Sequence, residues 1–233
     1  MREFIKKNKI LITSVGLLAV FVVFTLLLNV IDVQAIGPND PHTHLASSVG
    51  FAKINRWFHD LTGRHMFLYV LTDWGSLITI PIGVLFLVIG IKQLVKRKKI
   101  FKVDSNILAL GCLYVLTLAA YLFFELAIVN YRPILIEVDG INYLKASYPS
   151  STTLLAIVLL VSAIDQIIIY IKEKKLRLAL IVICGVLTAF FVVARAISGV
   201  HWLTDIIGGI LLSATLLSFY LAIKVGLSTY QNK

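Results

Sequence analysis

Six long apolar runs leave this chain very few possible folds. They cover residues 10–31, 66–91, 107–130, 153–171, 178–194 and 202–223. A bilayer core takes about 20 apolar residues of helix, and in lipid every backbone amide must be satisfied within its own span. The runs therefore predict an all-α fold: a polytopic membrane protein of six transmembrane helices, forming one integral domain over 1–233. Composition agrees, with 59% hydrophobic and 15% charged residues. An ordinary soluble domain carries about a quarter charged residues. Soluble enzymes, disordered chains and disulfide-stapled secreted modules are thereby excluded. Cys112 and Cys184 lie inside apolar runs, far from any His or Cys partner, and are read as buried packing.

The formal net charge is +10. If every run crosses the membrane, 16 of the 22 lysines and arginines fall on one side, around 2–9, 92–102, 172–177 and 224–233. The positive-inside rule then places both termini in the cytoplasm and explains the charge as orientation, so no nucleic-acid partner is expected. The first run is longer than a signal-peptide core of about 7–15 residues, so it reads as an uncleaved anchor although Val33-Gln34-Ala35 resembles a cleavage site. Short loops and the lack of organelle signals point to a bacterial plasma membrane. In the longest outward loop, 32–65, Phe51, Ile54, Phe58 and Leu61 recur at helical spacing between Lys53, Arg56, His59 and Asp60. This pattern predicts an interfacial amphipathic helix over about 47–62. His42 and His44 lack acidic or cysteine partners at ligand spacing; no metal and no cofactor is expected.

Ionisable residues at membrane depth are costly and tend to mark function. Here they gather at the outward ends of the last four runs: Arg132 after the third, Ser150, Ser151 and Thr152 before the fourth, Arg195 closing the fifth, His201 and Asp205 opening the sixth. Guanidinium groups donate paired, charge-assisted hydrogen bonds to phosphate. A helix starting at Pro149-Ser150 aims free N–H groups at an anion. His201 and Asp205, four apart, share one face if both are helical. Asp205 then fixes one imidazole nitrogen as N–H and leaves the other free to attack.

The stretch from Arg195 to Asp205 resembles the third signature, Arg-x5-His-x3-Asp, of the type 2 phosphatidic acid phosphatase superfamily, with Ala194 where the family usually has Ser. Pro149-Ser150-Ser151-Thr152 resembles the second signature, Pro-Ser-Gly-His, and Arg132-Pro133 the end of the first, Lys-x6-Arg-Pro. The resemblance implies a lipid phosphatase acting on a membrane lipid phosphate or diphosphate at the extracytoplasmic face. It works without metal, through a phosphohistidine. His201 would be the nucleophile, Asp205 its orienting partner, and Arg132, Ser150, Ser151, Thr152 and Arg195 the phosphate contacts. Two positions depart from the pattern: Glu125 stands where the family has Lys, and Thr152 where it has the His that protonates the leaving group. Glu125 either pairs with Arg132, two turns away on the same helix face, or supplies the missing proton; Lys145 is a candidate replacement cation. A catalytically weak relative that binds lipid phosphates, and a lipid phosphotransferase, remain as alternative functions.

Overall fold

The computed structural model describes residues 2–42 and 44–232; of the basic residues sorted above, Lys233 and the side chains of Arg2, Lys6 and Lys7 lie outside the described set. The order is α1 (Arg2–Leu27), β1 (Gln34–Asn39), β2 (Ala46–Val49), α2 (Ala52–Thr62), α3 (Met66–Ser76), α4 (Ile80–Arg97), α5 (Ser105–Leu126), β3 (Ile136–Val138), β4 (Ile141–Tyr143), α6 (Ser151–Tyr170), α7 (Lys174–Ile197) and α8 (Leu203–Gln231). The 3-10 turn Leu77–Thr79 joins α3 and α4 into one apolar span, Met66–Arg97, with Pro81 opening α4. Among the described residues, six helices are thus long and apolar enough to cross a membrane, and the chain is a multi-pass membrane protein.

The helix ends follow local chemistry rather than hydropathy alone. Ser150 caps α6, its hydroxyl accepting from Thr153 N at 3.4 Å. Glu173 caps α7, accepting from Lys175 N at 2.9 Å and from Leu176 N, and these bonds hold its carboxyl below the usual range. Helix α8 begins at Leu203, where the Asp205 carboxylate accepts from Trp202 N at 2.8 Å. Consequently α6 and α7 start ahead of their apolar runs, at Ser151 and Lys174; α8 starts one residue late but continues to Gln231, and α1 and α5 stop earlier, at Leu27 and Leu126.

Helices α6 and α8 form the centre: 56% and 50% of their most apolar windows are buried, against 11% in α1, α3–α4 and α7. α8 packs on α1, α5 and α6, and α7 packs on the far side of α6. The main core gathers Phe21, Phe86, Leu110, Leu113, Leu154, Val158, Leu212 and Leu216. Because lipid is as apolar as these side chains, close packing and interhelical hydrogen bonds hold such a bundle, and small residues permit the closest approaches. Gly208 shows this: a Cβ there would overlap the Tyr148 ring, which lies against the start of α8. At the other end of the bundle Lys224 pairs with Asp165 at 2.7 Å, and Tyr220 donates to the same carboxylate. Gln166 donates to the Tyr220 hydroxyl at 2.8 Å, and Asn106 donates to Gln166 at 2.7 Å, which ties α5, α6 and α8 together.

Two expectations need correction. The outward loops carry two short antiparallel hairpins, β1–β2 and β3–β4, and 47–49 belong to β2, so the interfacial helix starts only at Ala52. That helix turns its small face, Ala52 and Asn55, into the protein and leaves Ile54, Trp57 and Leu61 exposed. Cys184 is buried, but Cys112 is exposed on α5, where it lines an apolar groove shared with α4.

Candidate active site

The C-terminal ends of α5 and α7 meet the N-terminal ends of α6 and α8, and four backbone contacts fix that meeting. Ser147 N donates to Asn130 O at 3.1 Å and Arg132 N to Lys145 O at 3.1 Å, pairing the segments after α5 and before α6. Ser150 N donates to Asp205 O at 3.0 Å, tying α6 to α8. The turn before α8 is held by His65 N on Ser198 O at 3.0 Å and by Gly199, whose φ of +73° suits glycine; a Cβ there would run into Gly63 O.

His201 lies in this turn, ahead of α8, so it does not share a helix face with Asp205 as the spacing predicts. The two meet because Asp205 folds back over the helix start: His201 Nδ1 lies 3.4 Å from Asp205 Oδ2. Ser147 stands between them, its Oγ 3.1 Å from Nδ1 and donating to Asp205 Oδ2. Asn130 Nδ2 donates to the other oxygen at 3.1 Å. On the opposite side of the ring, Nε2 lies 3.3 Å from Arg195 Nη2. A guanidinium only donates, so Nε2 presents its lone pair there and Nδ1 carries the proton. That proton points to Ser147 and Asp205. His201 is buried, and burial together with the nearby Arg132 and Arg195 charges holds the imidazole well below its ordinary range. The ring is therefore neutral, as a nucleophile must be.

Arg195 is fully buried. It donates to Thr72 Oγ1 at 3.2 Å, pairs with Asp73 at 3.4 Å and lies 5.1 Å from the Tyr69 ring centroid; its Nε has no partner. A small cleft opens beside His201, lined by Arg132, Glu125, Tyr121, Phe124, Ser147, Tyr148 and Ser151 among others. Of the second-signature residues, Pro149 and Ser151 line this cleft. Ser150 is committed to capping and Thr152 is buried outside the lining. Glu125 reaches it too, but α5 ends at Leu126, so Arg132 is not on its helix. Among the described residues no ion pair joins the two.

Sequence reading missed Ser147, Asn130, Thr72 and Asp73. Only Ser147 carries a local signal, two residues before Pro149. The others join the site through tertiary contact. Asn55 is a further case: Thr204 N donates to its Oδ1 at 3.1 Å and its Nδ2 donates to Thr204 Oγ1 at 3.0 Å, docking α2 on the first turn of α8.

No curated protein matches the chain. Among solved structures it resembles the transmembrane PAP2 type phosphatidylglycerolphosphate phosphatase from Bacillus subtilis. The TM-score is 0.50 at 20% identity, over 90% of this chain and 93% of that one, a likeness of fold. The PAP2 superfamily profile matches residues 79–227, which is more than half of the chain and includes Glu125, Arg132, Arg195, His201 and Asp205. The chain belongs to the PAP2 superfamily.

Proposed function

We propose that this protein is a membrane lipid phosphatase that works through a phosphohistidine on His201, at the extracytoplasmic face. One observation carries the reading: a buried neutral imidazole directs Nδ1–H at Ser147 and Asp205, and its Nε2 lone pair at Arg195 beside an Arg132-lined cleft. Nε2 attacks phosphorus, and the leaving oxygen departs with the electron pair. Arg195 and Arg132 neutralise charge on the equatorial oxygens, and Ser151 at the mouth of α6 adds a donor. Water then attacks the phosphoimidazole and releases phosphate. Asp205 and Ser147 steady the imidazole while it carries positive charge. The sorting of basic residues by side supports a cytoplasmic position for both termini and a bacterial plasma membrane as the location.

With Thr152 outside the cleft, the leaving group receives little acid help at that position. Help of this kind is worth roughly 10²–10⁴-fold. An alkoxide resembles hydroxide from water of pKa about 15.7, whereas a phosphate monoester has a second pKa of about 6. The enzyme should therefore cleave a lipid diphosphate faster than a simple lipid monophosphate. The same position of Thr152 favours a second reading, a lipid-phosphate binder with little turnover.

Phosphate release by purified protein in detergent, without added metal and beside His201→Ala, separates the two. Release that His201→Ala abolishes supports the phosphatase. Binding without release supports the binder. Release that survives His201→Ala defeats the mechanism, and a simple lipid monophosphate turned over as fast as the diphosphate defeats the preference.

A further inference from the structure

Among the described residues, Glu125 is the one acidic side chain lining the His201 cleft. It shares the lining with Arg132, yet no Lys or Arg pairs with it among the described residues. Its neighbour is Tyr121, one turn earlier on α5, whose hydroxyl hydrogen-bonds to it. Phe124 and Tyr148 complete that side, packed edge to face with centroids 5.8 Å apart. A carboxylate among aromatic rings is the chemistry that holds an ammonium group, since the ring faces are electron-rich and the carboxylate supplies full charge. A phosphate bound at Arg132 and His201 is repelled by a bare carboxylate beside it. A cation on the substrate, placed between the two, turns that repulsion into attraction.

We propose that Glu125, with Tyr121, Phe124 and Tyr148, forms a subsite for an amine carried by the substrate, so that the favoured monophosphate is a lipid with an ammonium group next to its phosphate ester. The inference rests on the phosphatase reading for the place of the phosphate at His201. It also accounts for Thr152, which does not line the cleft. When His201 Nε2 bonds to phosphorus, the ester P–O bond breaks and its electron pair passes to the alcohol oxygen. The neighbouring ammonium gives that oxygen a proton and leaves as a neutral amine on the product alcohol. Water then hydrolyses the phosphoimidazole to inorganic phosphate. One substrate property thus meets both departures, a carboxylate where a cation is expected and no histidine to protonate the leaving group.

The test compares a long-chain 2-amino-alcohol phosphate with its N-acetyl derivative, which keeps the chain and phosphate but loses the charge, in detergent with a chelator present. The expected kcat/KM ratio favours the amine at least about tenfold in the wild type, and Glu125→Gln brings it to near one while Glu125→Asp keeps part of it. Equal rates for the two lipids, or a ratio untouched by Glu125→Gln, overturn the proposal. Binding of the same two lipids to His201→Ala supplies an arm that needs no turnover. Tighter binding of the amine supports the subsite, and equal binding refutes it. A lipid diphosphate lacking an amine serves as control: if it and both monophosphates all release no phosphate, the phosphatase reading fails, and the binding arm still decides the subsite.

Discussion

Ser147→Ala is the sharpest single test of the site, because one hydroxyl separates two readings of the His201–Asp205 pair. In the wild type Ser147 donates to Asp205 and stands 3.1 Å from His201 Nδ1, closer than Asp205 itself at 3.4 Å. If the serine relays the contact, its loss removes a hydrogen bond to a charged group, worth about 1.5–3 kcal/mol. Asp205 keeps Trp202 N at 2.8 Å and Asn130 Nδ2 at 3.1 Å, so the carboxylate stays anchored and the loss falls on the imidazole. At 1.36 kcal/mol per tenfold, kcat should drop about 10- to 150-fold with KM little changed. The measurement is phosphate release from a lipid diphosphate, with thermal unfolding of both proteins as a check on folding. A kcat within about twofold of wild type in a folded variant would refute the relay and leave the direct His201–Asp205 contact as sufficient.

The other expectations concern charge and the bundle. His201 has a depressed pKa, so the unfolded chain binds the proton first and stability falls as pH drops below about 6.5, until the folded imidazole itself titrates. Thermal stability measured from pH 7.5 to 5 should show this slope, weakened in His201→Ala. The acid limb of kcat/KM should likewise lie below pH 6.5 and move up in Arg132→Gln, which removes one of the charges lowering the imidazole; an unmoved limb would contradict the assignment. Arg195→Lys keeps a charge but loses the planar fork, and should cost roughly 10²–10³ in kcat, read by the same phosphate assay. Asp165→Asn, at the far end of the bundle, should leave kcat intact and lower stability by about 1 kcal/mol, since the pair with Lys224 is only partly shielded from solvent.

Much of the fold could be read because a membrane span writes itself as one continuous apolar run, and α3–α4 survives as one span despite its 3-10 turn. Span ends were less legible. The caps at Ser150 and Glu173 are polar decisions that hydropathy windows ignore, and they start α6 and α7 ahead of their windows; the Asp205 cap starts α8 one residue late, and that helix overruns its window at the other end. Arg195, His201 and Asp205 were found because a linear spacing carries them. The expected geometry was still wrong, for His201 sits in a turn, and a backbone-capping carboxylate brings the pair together. Ser147, Asn130, Asp73 and Asn55 were out of reach because single polar residues in separate loops and helices have no periodicity. Glu125 was visible as an anomaly, yet helical continuity through Arg132 misled, since α5 ends at Leu126.

The two sides of the imidazole are built differently, and the difference bears on function. Behind Nδ1, the carboxylate of Asp205 is gripped by Trp202 N at 2.8 Å, by Asn130 and by Ser147, all buried. In front of Nε2, Arg195 has only long contacts: 3.2 Å to Thr72, 3.3 Å to His201 itself and 3.4 Å to the half-exposed Asp73. Its Nε is buried without any partner. Charge-assisted bonds to an oxyanion are typically 2.7–2.9 Å, so a phosphoryl oxygen offers this guanidinium shorter bonds than it has. A phosphoryl group that slides between Arg195 and Nε2 replaces weak contacts and meets an imidazole whose rear is already fixed. Rigidity behind the nucleophile and exchangeable donors in front of it are what a group-transfer site needs when charge must be met as it develops.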